Sequence, residues 1–156
     1  ERPQGRGYGV ACAFDAGTYV ATMVEVEVDS GTGKVQPVRI VCAQDMGQVV
    51  NPHGATVQTE GGLTMGLGYA LTEDMEFDWK KVNTGNFDDY FITKFSMTPP
   101  VIDCVFIDDM EAKPEGGGEP AIITVGGAIA NAVFDACGAR VMQQPLTPER
   151  VLAALK

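Results

Sequence analysis

Positive charge is scarce in this sequence: 11 Lys and Arg stand against 21 Asp and Glu, a formal net charge of −10 over 156 residues. No basic cluster offers a local exception, so phosphate backbones and anionic membrane surfaces are repelled and no nucleic acid partner is expected. Histidine occurs once, as His53 after Asn51-Pro52, a setting for a surface loop residue rather than a metal ligand or triad member. No serine stands in a nucleophile elbow, and no Cys/His pair is suggested by spacing. The four cysteines, Cys12, Cys42, Cys104 and Cys137, lie far apart without a CxxC pair. Three fall in strand-like runs, which reads as buried thiols rather than a disulfide frame, a zinc site or an iron–sulfur site. A charged-then-apolar leader is missing, as is any run of 18 apolar residues, so neither a signal peptide nor membrane insertion is expected. Localisation stays open, with the cytoplasm ahead of the periplasm.

What is present suits one globular domain, residues 1–156: 45% of the residues are hydrophobic and 21% charged, enough to bury a core. "YGVACAF" and "TYVATMVEVEVD" read as strands, the second alternating Val24, Val26 and Val28 with Glu25 and Glu27, so that one face is dry. The lead-in "ERPQGRG" runs straight into the first of them, which points to a further strand or covering layer beyond it. "SGTGK" supplies a reversal and "VQPVRIVCAQD" the returning strand, making residues 18–45 a hairpin. A phosphate-loop reading of "GTGK" fails, because Val28 stands where the required first glycine would be.

After the Asn-Pro stop, "HGATVQTEGGLTMGLGYALTED" carries apolar residues at roughly helical spacing. Gly61, Gly62, Gly66 and Gly68 each cost a helix about 1 kcal/mol relative to alanine. Two readings stay open: close packing of backbone, or a bare face that a ligand approaches, with the Gln58 amide one turn ahead as donor and acceptor. Residues 75–100 look like a polar, aromatic surface excursion with one short strand. "VIDCVFIDD" reads as a strand buried on both faces. Residues 121–141 place Ile122, Val125, Ile129, Val133, Cys137 and Val141 on one helical stripe, and "PLTPERVLAALK" starts a last helix with Thr147 as N-cap and Pro148 at its first position. The order strand, strand, strand, helix, strand, helix, helix predicts an α+β fold, a mixed sheet with two or three helices.

"EGGGEPAI" sets one carboxylate, Glu119, behind three glycines and ahead of Pro120. Proline is accepted in a helix's first turn and an acid there meets the positive end of the helix dipole, so Glu119-Pro120 reads as a helix entry. The glycines leave the carboxylate open to a bulky group, which is the access a general base needs. A plain helix-start carboxylate beside a flexible loop fits the same residues.

Together "DMGQVVNPHGATVQTEGG", "MGLGYALTED", "NFDDY", "GGGEPAI" and "AIANAVFDACGAR" resemble, in order and approximate spacing, the C-terminal part of the molybdenum-binding (large) subunit of the xanthine dehydrogenase/aldehyde oxidase family. The likeness runs from about Gly7 to Leu155 and is greatest to the branch that holds the large (beta) chain of isoquinoline 1-oxidoreductase. It implies part of the molybdenum-cofactor-binding domain of a hydroxylase that acts on an N-heterocycle or aldehyde with water as oxygen source. By the same resemblance Glu119 matches the catalytic base, Gln58 a contact to the pyranopterin, and Gly118 a backbone position close to that cofactor. Asp45, Asn51 and Pro52 match a structural loop. The cofactor implied is a molybdenum pyranopterin, either plain or as molybdopterin cytosine dinucleotide, with iron–sulfur clusters only on a partner subunit. Implied partners are the remainder of the molybdenum subunit and a small subunit carrying two two-iron two-sulfur clusters. "VGGAIANAV" departs from the proline many relatives carry just before "AIANA". The remaining cofactor-binding segments of the family have no counterpart here, so the resemblance implies a fragment, inactive by itself. A non-catalytic binding or assembly module of a molybdoenzyme complex is the alternative.

Overall fold

Three strands in succession zigzag, the second of them alternating Val24, Val26 and Val28 with Glu25 and Glu27. In the computed structural model, which describes residues 3–155, these are β1 (Arg6–Asp15), β2 (Thr18–Val28) and β3 (Val35–Asp45), each antiparallel to the next. A fourth strand, β4 (Val101–Ile107), adds in parallel beside β3, giving the order β1-β2-β3-β4. Glu1, Arg2 and Lys156 lie outside the described residues, so the "ERPQGRG" lead-in is described only from Pro3 onward. The hairpin turn after β2 is tied by Asp29, whose Oδ1 accepts from the Gly31 backbone N–H at 2.8 Å. Between β2 and β3 the register shifts at Glu25/Val26, where Val38 is left over beside Pro37; a proline without an N–H fits at such a bulge.

The helices are α1 (Pro52–Leu71), α2 (Pro120–Cys137) and α3 (Pro148–Ala154). Each begins with proline in its first turn, where a missing N–H costs nothing. Asn51 caps α1 by accepting from the Gly54 N–H at 3.0 Å, and Thr147 caps α3. Gly138, left-handed at φ 81°, ends α2. The core lies between the sheet and these helices: Val20, Val24, Val26, Ile40 and Cys42 meet Leu63, Leu67, Val125, Ile129 and Val133. Two buried polar pairs stitch the layers, Thr124 to Thr22 and Gln44 to Thr59, each at 2.7 Å. By length and composition α2 is apolar enough to cross a membrane, but its buried face, Val125, Ala128, Ile129, Ala132 and Val133, is spent on the sheet and on α1.

Backbone comes unusually close where α2 crosses β1. A methyl group on Gly7 would strike the carbonyl oxygen of Ala132, and one on Gly9 that of Ala128. Glycine on the strand and alanine on the helix are what let the two meet. At the α1/α2 contact a methyl on Gly66 would meet the Val125 side chain at 2.7 Å.

The structure departs from the sequence reading in five places. Strand β4 is half-covered, not buried on both faces: Val101, Val105 and Ile107 are exposed, because β4 is a sheet edge and α2 lies over β1 and β2 instead. Cys42 is buried, but Cys104 and Cys137 are half-buried and Cys12 is exposed on the outer face of β1. The apolar stripe outlasts its helix, since α2 stops at Cys137 and Val141 follows the Gly138 cap. The excursion holds no strand among the described residues, only the bridge Phe77 to Val82 and a 3-10 turn at Phe95–Met97. His53 is exposed as expected but sits in the first turn of α1, not in a loop.

These contacts separate two glycine substitutions. Gly9→Ala should lower the stability of the purified chain by at least about 3 kcal/mol through overpacking. Gly61→Ala, whose added methyl meets nothing within 4 Å, should raise it by about 0.5–1 kcal/mol. Urea unfolding of both variants checks the pair, and equal effects would contradict the packing described.

Candidate functional site

Helical geometry brings Gln58, Gly62, Met65 and Tyr69 onto one face of α1, at steps of four, three and four residues. Opposite this face runs the "GGGEP" loop. The loop's entry is fixed by backbone: the Glu115 N–H donates to Met46 O and the Gly116 N–H to Ala16 O, both at 2.9 Å. The Thr18 hydroxyl donates to Gly116 O at 2.7 Å. Glycine is required at Gly116 because a side chain would run into Ala16. Beyond it Gly117 lies against the Met46 thioether, and at Gly118 an added methyl would meet nothing within 4 Å.

Gln58 bridges the gap. Its Nε2 donates to Gly118 O at 2.7 Å, which leaves its amide oxygen open to a donor from outside. Glu119 starts α2 without giving its carboxylate to a cap, and its backbone oxygen accepts from the Ile122 N–H at 3.1 Å. The result is a cleft of ≈ 270 Å³ lined by Gln58, Gly61, Gly62, Met65, Tyr69, Gly118, Glu119 and Ile122. One end is polar, with an amide, a carboxylate and a backbone carbonyl; the other is apolar, with Met65, Tyr69 and Ile122. Among the described residues no group of three or more His, Cys, Asp or Glu is placed to hold a metal ion. The cleft can therefore bind a flat organic group through amide and backbone contacts and present one carboxylate to it.

A second set of contacts stands at the C-terminal end of α1. The Glu73 N–H donates to Gly68 O at 2.8 Å, and the Tyr90 hydroxyl donates to Glu73 Oε2 at 2.7 Å. That bond is the first cause that pushes the Tyr90 phenol up to about 12, with burial, the Glu73 charge and nearby Tyr69 adding to it. Away from the cleft, burial raises the Cys104 thiol to about 11, which keeps it from acting as a thiolate near neutrality.

All three residues singled out in the sequence, Gln58, Gly118 and Glu119, line this one cleft. The α1 glycines divide by position. Gly66 serves helix packing and Gly68 leaves room for Glu73, whereas Gly61 and Gly62 face the cleft. In the sequence Met65, Tyr69 and Ile122 signal only apolarity; their spacing from Gln58 and Glu119 on the two helices is what could have placed them.

Residues 4–99 match a family model described as "Molybdopterin cofactor-binding domain". Gln58 lies inside that match and Glu119 beyond it. The chain is 36% identical over 149 residues to a nicotinate dehydrogenase subunit of Pseudomonas putida, covering 96% of this chain and 12% of that protein. It is 32% identical over 151 residues to an aldehyde oxidoreductase molybdenum-binding subunit of Escherichia coli, covering 91% and 20%. Among solved structures, the aldehyde oxidoreductase from Desulfovibrio desulfuricans superposes with a TM-score of 0.77 at 34% identity, over 89% of this chain and 16% of that one. The chain thus spans a fifth or less of the length of these relatives.

The Tyr90 shift carries a pH prediction. Between pH 10 and 12 the unfolded chain has released the Tyr90 proton while the folded chain keeps it, so stability from this group is complete below pH 10 and is lost as pH rises toward 12. Phenolate absorbance should show one tyrosine titrating near the top of that range in the native chain and moving down toward 10 in Glu73→Gln. A Tyr90 titration untouched by that substitution would contradict the assignment.

Proposed function

We propose, for a chain that belongs to the molybdopterin cofactor-binding domain family, that the cleft between α1 and the "GGGEP" loop is one wall of a molybdenum pyranopterin site, with Glu119 as general base. The observation that carries this is the coincidence of an uncommitted carboxylate, a bridging amide and two glycines without neighbours in a single cleft. The residues fit such a group. A flat heterocycle needs bare backbone to lie against, which Gly61 and Gly118 offer, and a polar edge partner, which the Gln58 amide oxygen offers.

When bound, the molybdenum centre supplies the two-electron oxidant for hydroxylation. Gln58 holds the loop through Gly118 O and keeps an acceptor for a pterin N–H. The Glu119 carboxylate takes the proton from the water-derived oxygen that enters the product. Met65, Tyr69 and Ile122 exclude water from the far end of the cleft. The substrate class is an N-heterocycle or an aldehyde: nicotinate and aldehydes are named in the relatives, and the motif likeness to the isoquinoline 1-oxidoreductase branch favours the heterocycle. The pterin is plain or carries cytosine dinucleotide, and electrons leave through a small partner subunit with two-iron two-sulfur clusters.

The remainder of a molybdenum subunit closes the cleft between α1 and the loop, and the isolated chain is inactive. The same remainder covers the outer sheet face, where Val10, Phe14, Tyr19, Met23, Val105 and Ile107 stand exposed.

Glu119→Gln in the complete subunit should leave molybdenum content intact and reduce turnover by about 10²–10⁴-fold. Near-normal turnover would sink the assignment. Gly61→Ala should lower molybdenum and pterin occupancy even though it strengthens α1; unchanged occupancy would remove Gly61 from the cofactor wall.

A further inference from the structure

Over residues 52–62 of α1, Thr59 is the one buried residue among those described. Its neighbours there are exposed or half-buried, and the apolar seal of the helix begins only at Leu63 and Leu67. Yet this half of α1 carries Gln58, Gly61 and Gly62, which line the cleft. Its rotation needs a fixing point, and glycine offers no side chain to provide one.

What Thr59 meets is Gln44 of β3, whose Nε2 donates to the Thr59 hydroxyl at 2.7 Å, with both side chains buried. The Gln44 amide oxygen has no hydrogen-bond partner among the described residues. With the amide turned over, the hydroxyl would donate to that oxygen instead, so the link to Thr59 stands either way. One end of the amide is left over in both cases, a desolvation cost that an apolar pair of similar shape would avoid. Stability alone does not account for a polar pair here. What the pair supplies is direction: apolar contact tolerates rotation of a smooth helix, and a hydrogen bond does not.

The same stretch of β3 holds the opposite wall. Just after Gln44 and Asp45, the Met46 carbonyl accepts from the Glu115 N–H at 2.9 Å, and the Met46 thioether borders Gly117. Gln58 then closes the frame by donating to Gly118 O at 2.7 Å. The two walls of the cleft are therefore joined at one side through residues 44–46 and across by a single amide, each link a direct contact.

We propose that Gln44 and Thr59 are positioning residues: their hydrogen bond fixes the rotation of the first half of α1 and so aims the Gln58 amide at the Gly118 carbonyl beside Glu119. Neither residue lines the cleft, and the pair acts through Gln58, the neighbour of Thr59. The consequence for turnover rests on the cleft being the site proposed above; the hydrogen-bonded frame itself does not.

Hydrogen exchange followed by mass spectrometry, on the complete subunit free of cofactor, reads the frame without any turnover. Thr59→Val keeps the shape and removes the hydroxyl; amides of residues 52–62 should then exchange about tenfold faster or more, while β2 stays within about twofold of the parent. Thr59→Ser, which keeps the hydroxyl, should keep the protection. In the loaded enzyme, turnover per bound molybdenum should fall about five- to fiftyfold in Thr59→Val and less than about twofold in Thr59→Ser. Because the pair acts through Gln58, Thr59→Val should cost nothing further in a Gln58→Met background. Exchange that is unchanged, or that quickens equally in β2, overturns the proposal, as do losses from Thr59→Val and Gln58→Met that multiply independently. The two readings fail separately. Fast exchange confined to residues 52–62, with near-normal turnover in Glu119→Gln, keeps the frame and removes the active site; abolished turnover in Glu119→Gln, with parent-like exchange in Thr59→Val, does the reverse.

Discussion

The rest of the structure depends on how closely the backbone of α2 lies against β1. Gly7 and Gly9 on the strand and Ala128, Ala132 and Ala136 on the helix remove every side chain that would hold the two apart. Once α2 is seated at that distance, its N-cap residue has little freedom, and that residue is Glu119. The carboxylate is thus positioned from the far end of its own helix, by packing rather than by a hydrogen bond to its side chain. Such positioning costs nothing in solvation of the acid and leaves both of its oxygens open.

A second close approach sets the other wall. Gly66 lets α1 settle against Val125 of α2, which brings the Gln58 face of α1 opposite the start of α2. Only then can a single amide span from α1 to the loop carbonyl of Gly118. The glycines of α1 therefore divide their work. Those facing α2 and Glu73 allow contact within the chain. Gly61, which costs the helix roughly 1 kcal/mol and has nothing within 4 Å of an added methyl, is on the proposed reading the surface kept for the cofactor.

Much of this was legible in the sequence because it is local. Valine alternation in β2, the glycine-rich reversal at residues 30–34, the Thr147 cap and the prolines that open α2 and α3 all act within a few residues of themselves. The order of elements followed, and with it the mixed α+β class. What was not legible depends on distant neighbours. An apolar run such as Val101–Ile107 does not announce whether its outer face is covered, so β4 read as buried and is an edge. Cys12 alternates as its neighbours do, yet the parity of β1 puts it outward. Glycine carries no side chain to report what fills its space, so Gly66, Gly68 and Gly61 looked alike until Val125, Glu73 and open cleft were found opposite them. The Tyr90–Glu73 bond joins two residues 17 apart across a segment without periodicity, where no pattern could predict it.

The central claim is that the cleft between Gln58 and Glu119 faces the molybdenum cofactor. Anomalous diffraction at the molybdenum edge from crystals of the complete subunit tests it most directly. The account predicts a single metal peak in front of the Glu119 carboxylate, with the pterin lying along the Gly61–Gly62 face of α1. A metal peak on the opposite side of the sheet, or one separated from Glu119 by the body of α2, would contradict it.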